Sequence, residues 1–571
     1  MAEKNSATPR IRRRAPGDAS ALPSSLHPVL RRVYAARGLC KSEELALDLK
    51  ALLPPDGLLG LDRAADILED SIRRKQKIVV VGDYDADGAT GSAVAVAGLR
   101  ALGAAQVDFL VPSRFKQGYG LSPALAAAAK EQGAELLVTV DNGIASLAGV
   151  AAAQQAGMRV VVTDHHLAGP ELPAADAIVN PNQPRCGFAS KHLAGVGVMF
   201  YLLLALRARL RAGGAFADGS GPNLAELLDL VAAGTVADLV RLDGNNRILV
   251  SQGLARIRAR RARPGLLALM QVAGRKIEEA SAGDLGFAIG PRLNAAGRLD
   301  DMRLGIDCLL SANEAEALER AQQLDRLNRE RREIEARMRD EAMEMIETLS
   351  SSAVGVVLFD QDWHEGVVGL VASRVKDRLH RPTIAFARAQ EAGMLKGSAR
   401  SIAGLHVRDA LAAVDARHPG MITRFGGHAM AAGLSLPEVK LEAFAAAFDA
   451  ICREWVSADA LEAVLETDGA LADGELGLDT ALCLERGGPW GQGFPEPLFD
   501  GTFDVVESRL IGEQHARYRL RTGGGLTLDA IHFGGAAGRR EQGRVEAAYQ
   551  MTVNRYRGLE NPELRLLMMR S

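Results

Sequence analysis

Aromatic residues are scarce in this sequence: Phe, Trp and Tyr make up only 4% of its 571 residues, so its cores must be packed from Ala, Val and Leu. Cysteine is scarce too. Cys40, Cys186, Cys308, Cys452 and Cys483 are scattered, with no CxxC pair. That argues against a zinc knuckle and against a disulfide framework, and it favours a reducing, cytoplasmic compartment. Long apolar runs are missing. The longest, Leu193 to Leu206, is too short to span a bilayer and reads as a buried helix, so no membrane association is expected. Charge of one sign is not in excess either: the net charge is −3, so any polyanion site has to be a local patch. Arg10, Arg12, Arg13 and Arg14 stand near the start with no apolar stretch behind them. They do not make a secretory signal, and residues 1–24 are expected to be a disordered basic tail.

What is present is ample apolar content, 47%, in a chain long enough for about four domains. Between about 75 and 240, short apolar runs end in polar residues: "KIVVVGD", "VDFLVPSR", "ELLVTVDNG", "MRVVVTDHH" and "DAIVNPN". Alanine-rich stretches such as "SPALAAAAKEQG" separate them. This alternation predicts βαβ units around a parallel sheet, with the acids and histidines at the carboxyl ends of the strands, where such sheets bind ligands. Residues 311 to about 349 lack Gly and Pro. They predict a long helix bridging two lobes, with Ser311 and Glu314 as its capping box. A second α/β lobe follows from about 352 to 465. From about 497, alternating strands with glycine-rich turns predict a small β-barrel. The fold class is therefore α/β, two lobes joined by a long helix, with a C-terminal OB-like barrel. The expected divisions are 25–265 for a catalytic domain with an N-terminal helical segment, 266–350 for the connector, 351–467 for the second lobe and 468–571 for the barrel.

The most informative stretch is "GDYDADGATG", residues 82–91, with Asp83, Asp85 and Asp87 at alternate positions. A calcium loop starting at Asp83 needs a glutamate at its twelfth position, which is Val94, and a helix in front, where "KIVVV" reads as a strand. The remaining reading is a catalytic metal site. If the segment is extended, Asp85 and Asp87 share a face. Asp141 comes from a neighbouring strand end and the pair His165 and His166 from a third, and Asp238, in "AAGTVADLV", adds a fourth source. Five or more Asp/His donors suit manganese or magnesium in a two-metal phosphoryl-transfer site.

These motifs, with "VTVDNGI", "VTDHH" and "AAGTVADLV", resemble the four motifs of the DHH phosphoesterase superfamily. The likeness continues through "GFAIGPRLNAAGRL", "WHEGVVGLVASR", "KGSARS", "RFGGHAMAAGL" and "PWGQGFPEPLF", and this succession is similar to that of the bacterial single-strand-specific 5′-to-3′ exonucleases of that superfamily. The resemblance implies a two-metal hydrolase releasing mononucleotides from single-stranded DNA in recombination and repair. It implies metal ligation by Asp85, Asp87, Asp141, His165 and Asp238, with Asp141 as the bridge, and a catalytic His166 that steadies the phosphate or exchanges a proton. Asp83 and Asp164 would act through hydrogen bonds. Arg114, Ser398 and Arg400 would hold a 5′-phosphate, while Tyr119, Arg298, Gly426, Gly427 and His428 are further substrate contacts. Single-strand-binding protein and a helicase are implied partners, without a recognisable docking motif, and a monomer is expected. Two other functions compete: a DHH enzyme for short oligonucleotides or cyclic dinucleotides, which the barrel argues against, and a non-catalytic scaffold, which the full set of acids argues against. Arg517, Tyr518, Arg519, Arg521, Arg555, Tyr556 and Arg557 on the barrel are expected to grip the strand. The two lobes are expected to fold without residues after about 468.

Overall fold

In the computed structural model, which describes residues 9–112, 120–217, 219–348, 353–512, 515–535 and 541–571, the basic N-terminal stretch is a strand. β1 (Arg10–Arg13) pairs in parallel with residues 464–467. This corrects the expectation of a disordered tail across 1–24. The cause is long-range: Arg12 meets Glu466, 454 residues on, at 2.6 Å, and Arg13 meets Asp500 at 2.6 Å. Beside them Ile11 packs with Leu465 against Leu498, Ala548 and Met568.

The first lobe is built on β2 (Lys77–Val81), β3 (Gln106–Leu110), β4 (Leu136–Val140), β5 (Arg159–Thr163) and β6 (Ala177–Val179). They form one parallel sheet in the order β3-β2-β4-β5-β6. Helices cover both faces, so these strands are continuous apolar runs rather than alternating ones. The chain leaves β2 for β3 on one side, then crosses to β4 on the other. A crevice therefore opens beyond the carboxyl ends of β2 and β4, the switch point of the sheet.

The helix Glu314–Thr348 does join two cores. Ala317, Ala321 and Leu324 are buried in the first lobe, and Met338, Ala342 and Ile346 in the second. Its cap is not Ser311, which hydrogen-bonds the Asp307 carbonyl one turn back at 2.8 Å. Asn313 takes that place, its Oδ1 accepting from the Glu316 N–H at 2.9 Å. Asn is at least as good a cap as Ser, and Ser311 already belongs to the preceding helix end.

In the second lobe β7 (Val356–Phe359), β8 (Thr383–Arg388), β9 (Met394–Arg400), β10 (Arg424–Gly427) and β11 (Ala431–Pro437) form a sheet in the order β10-β11-β9-β8-β7. β12 (Val464–Thr467) is the partner of β1. β13 (Phe499–Ile511), β14 (His515–Arg521), β15 (Thr527–His532), β16 (Gly543–Tyr556) and β17 (Leu559–Arg570) close into a barrel, β15 pairing in parallel with β17. This is the expected barrel, but it is not a detachable one. Its inner residues and those of the first lobe share one continuous apolar core. Tyr34 donates to the Gly487 carbonyl at 2.8 Å, Arg37 pairs with Asp468 at 2.7 Å with both side chains 2% exposed, and the Arg247 guanidinium lies 4.1 Å from the Phe494 ring centre. This sharing runs against the expectation that the first lobe folds without residues after 468, whereas the second lobe keeps cores of its own.

Candidate metal centre and phosphate pocket

Three backbone turns deliver the acids. After β2 the chain bends, and Asp85 caps the helix Ala86–Ala101, its Oδ1 accepting from Gly88 N at 3.0 Å. Asp87 is already in the first helical turn. Asp85 and Asp87 thus do not share a strand face as the spacing suggested, because the helix begins between them. Asp87 is held instead by the start of the helix Gly195–Ala212, accepting from Gly195 N at 2.6 Å and Val196 N at 3.0 Å. After β4, Asp141 sits in the left-handed region at φ 63°, a strained conformation that non-glycine residues keep where surrounding contacts enforce it. Asp238 ends the helix Leu228–Ala237. Two glycines admit this crowding: a Cβ at Gly195 would lie 2.5 Å from Asp141 Cβ, and one at Gly234 would lie 2.9 Å from Asp87 Oδ1.

The ligand atoms gather in three overlapping sets, each within 4.8 Å: Asp141, His165 and His166; Asp87, His165 and Asp238; Asp83, Asp85 and Asp141. Asp141 and His165 each belong to two sets, the arrangement a bridging carboxylate between two ions requires. Asp83, whose role the sequence left open beyond a hydrogen bond, is among these donors. The strand-end spacing had signalled it, since it is the first acid of the triplet.

The electrostatics of these groups suit a cation. Burial and the neighbouring Asp87 and Asp85 push the Asp141 carboxyl well above the usual carboxylate range, and Asp238 likewise. Burial, with Asp85 beside it, raises Asp87 to about 7. Burial and the adjacent His166 push His165 down to about 3, leaving it neutral. Its Nε2 is buried, 3.1 Å from Asp141 Oδ1 and 3.4 Å from Asp238 Oδ2, yet in hydrogen-bonding geometry with none of the described residues. A neutral imidazole nitrogen aimed among crowded carboxylates fits a hard or borderline divalent cation.

His166 behaves differently. Burial alone would lower its pKa, but its Nδ1 lies 2.7 Å from Asp164 Oδ1, and that bond and charge hold it up at about 9. Burial would raise Asp164; the bond to His166 keeps it below the usual range. The His166 ring stacks on His428 of the second lobe, centroids 5.8 Å apart.

The second lobe also brings Ser398 and Arg400 together on β9. Arg400 Nη1 donates to Ser398 Oγ at 3.0 Å and to the Ala399 carbonyl at 2.8 Å. Both face the first turn of the helix Val368–Leu379: a Cβ at Gly369 would lie 2.8 Å from Ser398 Oγ and 2.9 Å from Arg400 Nη2. Hydroxyl, guanidinium and a helix start facing one another suit an anion. Gly426 and Gly427 lie on the edge strand β10; Gly427 adopts φ +143°, whereas a Cβ at Gly426 would meet nothing within 4 Å. Arg298 donates to the Gly366 carbonyl at 3.0 Å, tying the first lobe to the loop before the Val368 helix. Arg114 and Tyr119 lie outside the described residues. Sequence reasoning missed Asn142, whose Nδ2 bonds the Val81 and Val140 carbonyls at 3.0 and 2.9 Å and so latches the ends of β2 and β4. It also missed Asn294, which accepts from the Ala86 N–H at 2.8 Å.

Three family models match the chain in succession: the DHH family N-terminal domain over residues 77–235, the DHHA1 domain over 351–454 and the RecJ OB domain over 467–567. The chain is 52% identical to the single-stranded-DNA-specific exonuclease RecJ of Dickeya dadantii, covering 97% of each chain. To the protein of that name from Escherichia coli it is 51% identical, over 96% of this chain and 97% of the other. Among solved structures it resembles that of RecJ in complex with Mn2+ from Thermus thermophilus, with a TM-score of 0.80 and 32% identity over 96% of this chain and 76% of that one. A Mg2+ complex from the same organism matches with a TM-score of 0.75 at 31% identity, over 96% of this chain and 75% of that one.

Proposed function

The chain belongs to the RecJ family, metal-dependent 5′-to-3′ exonucleases specific for single-stranded DNA in recombination and repair, and we propose that its polarity arises from a pocket for the terminal phosphate beside the metal centre. Manganese or magnesium is the cofactor; when bound, two such ions lower the pKa of water and offset phosphate charge. Asp83, Asp85, Asp87, Asp141, His165 and Asp238 would hold them, with Asp141 shared between the two. His166, held by Asp164, donates to an oxygen of the scissile phosphate or gives a proton to the leaving oxygen. Ser398, Arg400 and the first turn of the Val368 helix receive the terminal phosphate through charge-assisted bonds. A phosphate caught there sits at one fixed offset from the acids, which favours release of one nucleotide at a time.

The barrel contributes a groove for the rest of the strand. Its contacts are fewer than expected: Tyr518 is 2% exposed and part of the core, Arg517 is paired with Glu563 at 2.7 Å, and Arg555 with Glu485 at 2.7 Å. Tyr556, 67% exposed with Arg557 5.2 Å from its ring centre, remains suited to stacking on a base, as Arg521 is to a phosphate. The protein acts as a monomer on cytoplasmic DNA, on strands exposed by a helicase and covered by single-strand-binding protein. Among the described residues no helix is long and apolar enough to cross a membrane. The alternative of a short-oligonucleotide or cyclic-dinucleotide phosphoesterase is disfavoured by the barrel fused into the catalytic core.

The observation that carries this reading is Asp141 in two ligand sets at once, opposite a second lobe that supplies His428, Ser398 and Arg400. The test is cleavage of single strands bearing a 5′-phosphate or a 5′-hydroxyl. Preference for the phosphate, lost in Arg400→Ala, is expected; equal cleavage of both ends by the wild-type protein would defeat the phosphate pocket.

A further inference from the structure

The motif "DAIVNPN" ends in two asparagines to which the chemistry above gives no task. β6 lies beside β5 in the sheet, so residues 180–182 run alongside the loop that carries Asp164, His165 and His166. Asn180 is fully buried; its Nδ2 donates to the His166 carbonyl at 2.9 Å, while its Oδ1 accepts from the Asn182 N–H at 2.7 Å. That backbone donor fixes which end of the Asn180 amide is oxygen. Asn182 Nδ2 donates to the His165 carbonyl at 2.6 Å. From the other side, Asp164 Oδ1 accepts from His165 N at 2.7 Å and His166 N at 3.1 Å. Both N–H groups and both carbonyls of the histidine pair are thus held by side chains.

We propose that Asn180 and Asn182 are positioning residues: by fixing the two carbonyls they set the peptide planes from which His165 points at the metal site and His166 at the phosphate. This rests on the metal-centre reading above. A ligand's outer partners typically change metal affinity or activity about 10- to 100-fold when removed.

Asn182→Asp in the full-length protein is the sharpest test, because it keeps size and shape but removes the donor, and Asn182 is only half-buried. Two readouts are needed: Mn2+ binding without DNA, followed by the electron paramagnetic resonance signal of the free ion, and kcat and KM on 5′-phosphorylated single strands. Expected are Mn2+ binding and kcat each weakened about tenfold, KM for DNA unchanged. Asn182→Ala, which places no new charge beside the carbonyl, should show the same split and serves if the Asp variant does not fold. Wild-type Mn2+ affinity and kcat in a folded variant would overturn the proposal, as would a rise in KM alone. If the wild-type protein itself bound no Mn2+, the metal-centre reading would fall first, a result distinct from unaltered binding in the variants.

Discussion

His428 of the second lobe stacks on His166 of the first, ring planes within 17° of each other. It is the point where the two lobes meet over the acids. His428 has its pKa lowered, by burial and by the charge on His166, so a neutral ring covers a protonated one. Removing it should uncover His166 without unfolding either core. His428→Ala is expected to lower kcat several-fold by freeing the His166 ring, and to cost the fold no more than the about 0.5–1.5 kcal/mol of one aromatic contact. Steady-state kinetics checks this; an unaltered kcat would mean that the stacking does not serve the reaction.

Asp141→Ala should abolish cleavage and leave strand binding through the arginines largely intact. Fluorescence anisotropy with a labelled single strand, beside a cleavage assay, separates the two. Loss of binding together with activity would contradict a purely metal-holding Asp141.

The crowded carboxyls also make stability depend on pH. Asp87, raised to about 7, and the raised Asp141 and Asp238 hold protons that the unfolded chain releases, and so does His166 at about 9. His165, depressed to about 3, opposes this increasingly as the pH approaches and passes its ordinary 6.5. Metal-free protein should therefore gain stability as pH falls from about 8 to about 6.5, the folded state binding more protons than the unfolded. Bound Mn2+ should flatten that slope, since ligands holding an ion do not protonate. Thermal midpoints with chelator and with Mn2+ across this window test it; parallel curves would contradict the clustering of ligands.

Much of this was legible in the sequence, for a physical reason. A parallel sheet demands unbroken apolar strands and puts chemistry at one end of them, so "KIVVVGD", "ELLVTVDNG" and "MRVVVTDHH" announced both the strands and the site. The bridging helix was legible because nothing in it interrupts helical spacing. Less legible was what depends on distant partners: the pairing of Arg10–Arg13 with Val464–Thr467, and the hold of Gly195 N on Asp87. Local pattern also misled where helix replaced strand one residue early, between Asp85 and Asp87. Tyr518 alternates with arginines as a base-stacking residue would, but the barrel's pleat turns it inward.

The joint between barrel and first lobe contains two buried arginines with different expectations. Arg37 pairs with Asp468, both 2% exposed. Arg37→Met leaves that buried carboxylate with the Leu498 N–H and the more distant Arg14, and should fall toward the low end of the about 3–5 kcal/mol that a broken buried pair costs. Arg247 is buried against Phe494 with Nε and Nη1 unbonded among the described residues. Arg247→Met keeps most of the volume and gives up the ring contacts with Phe494 and Tyr34 in exchange for relief of a buried charge, so it should be near neutral. Urea unfolding ranks the two, and the reverse order would show that Arg247, not the ion pair, holds the joint. A chain ending at 468 should be insoluble, because loss of the barrel bares the shared core.

The most direct test of the whole account is one digestion of single strands labelled at the 5′ or the 3′ end, with Mn2+ or with excess chelator. With Mn2+ the 5′ label should be released at once as a mononucleotide while the 3′ label stays on progressively shorter strands, and chelator should stop both. Early release of the 3′ label, or cleavage that persists in chelator, would contradict it.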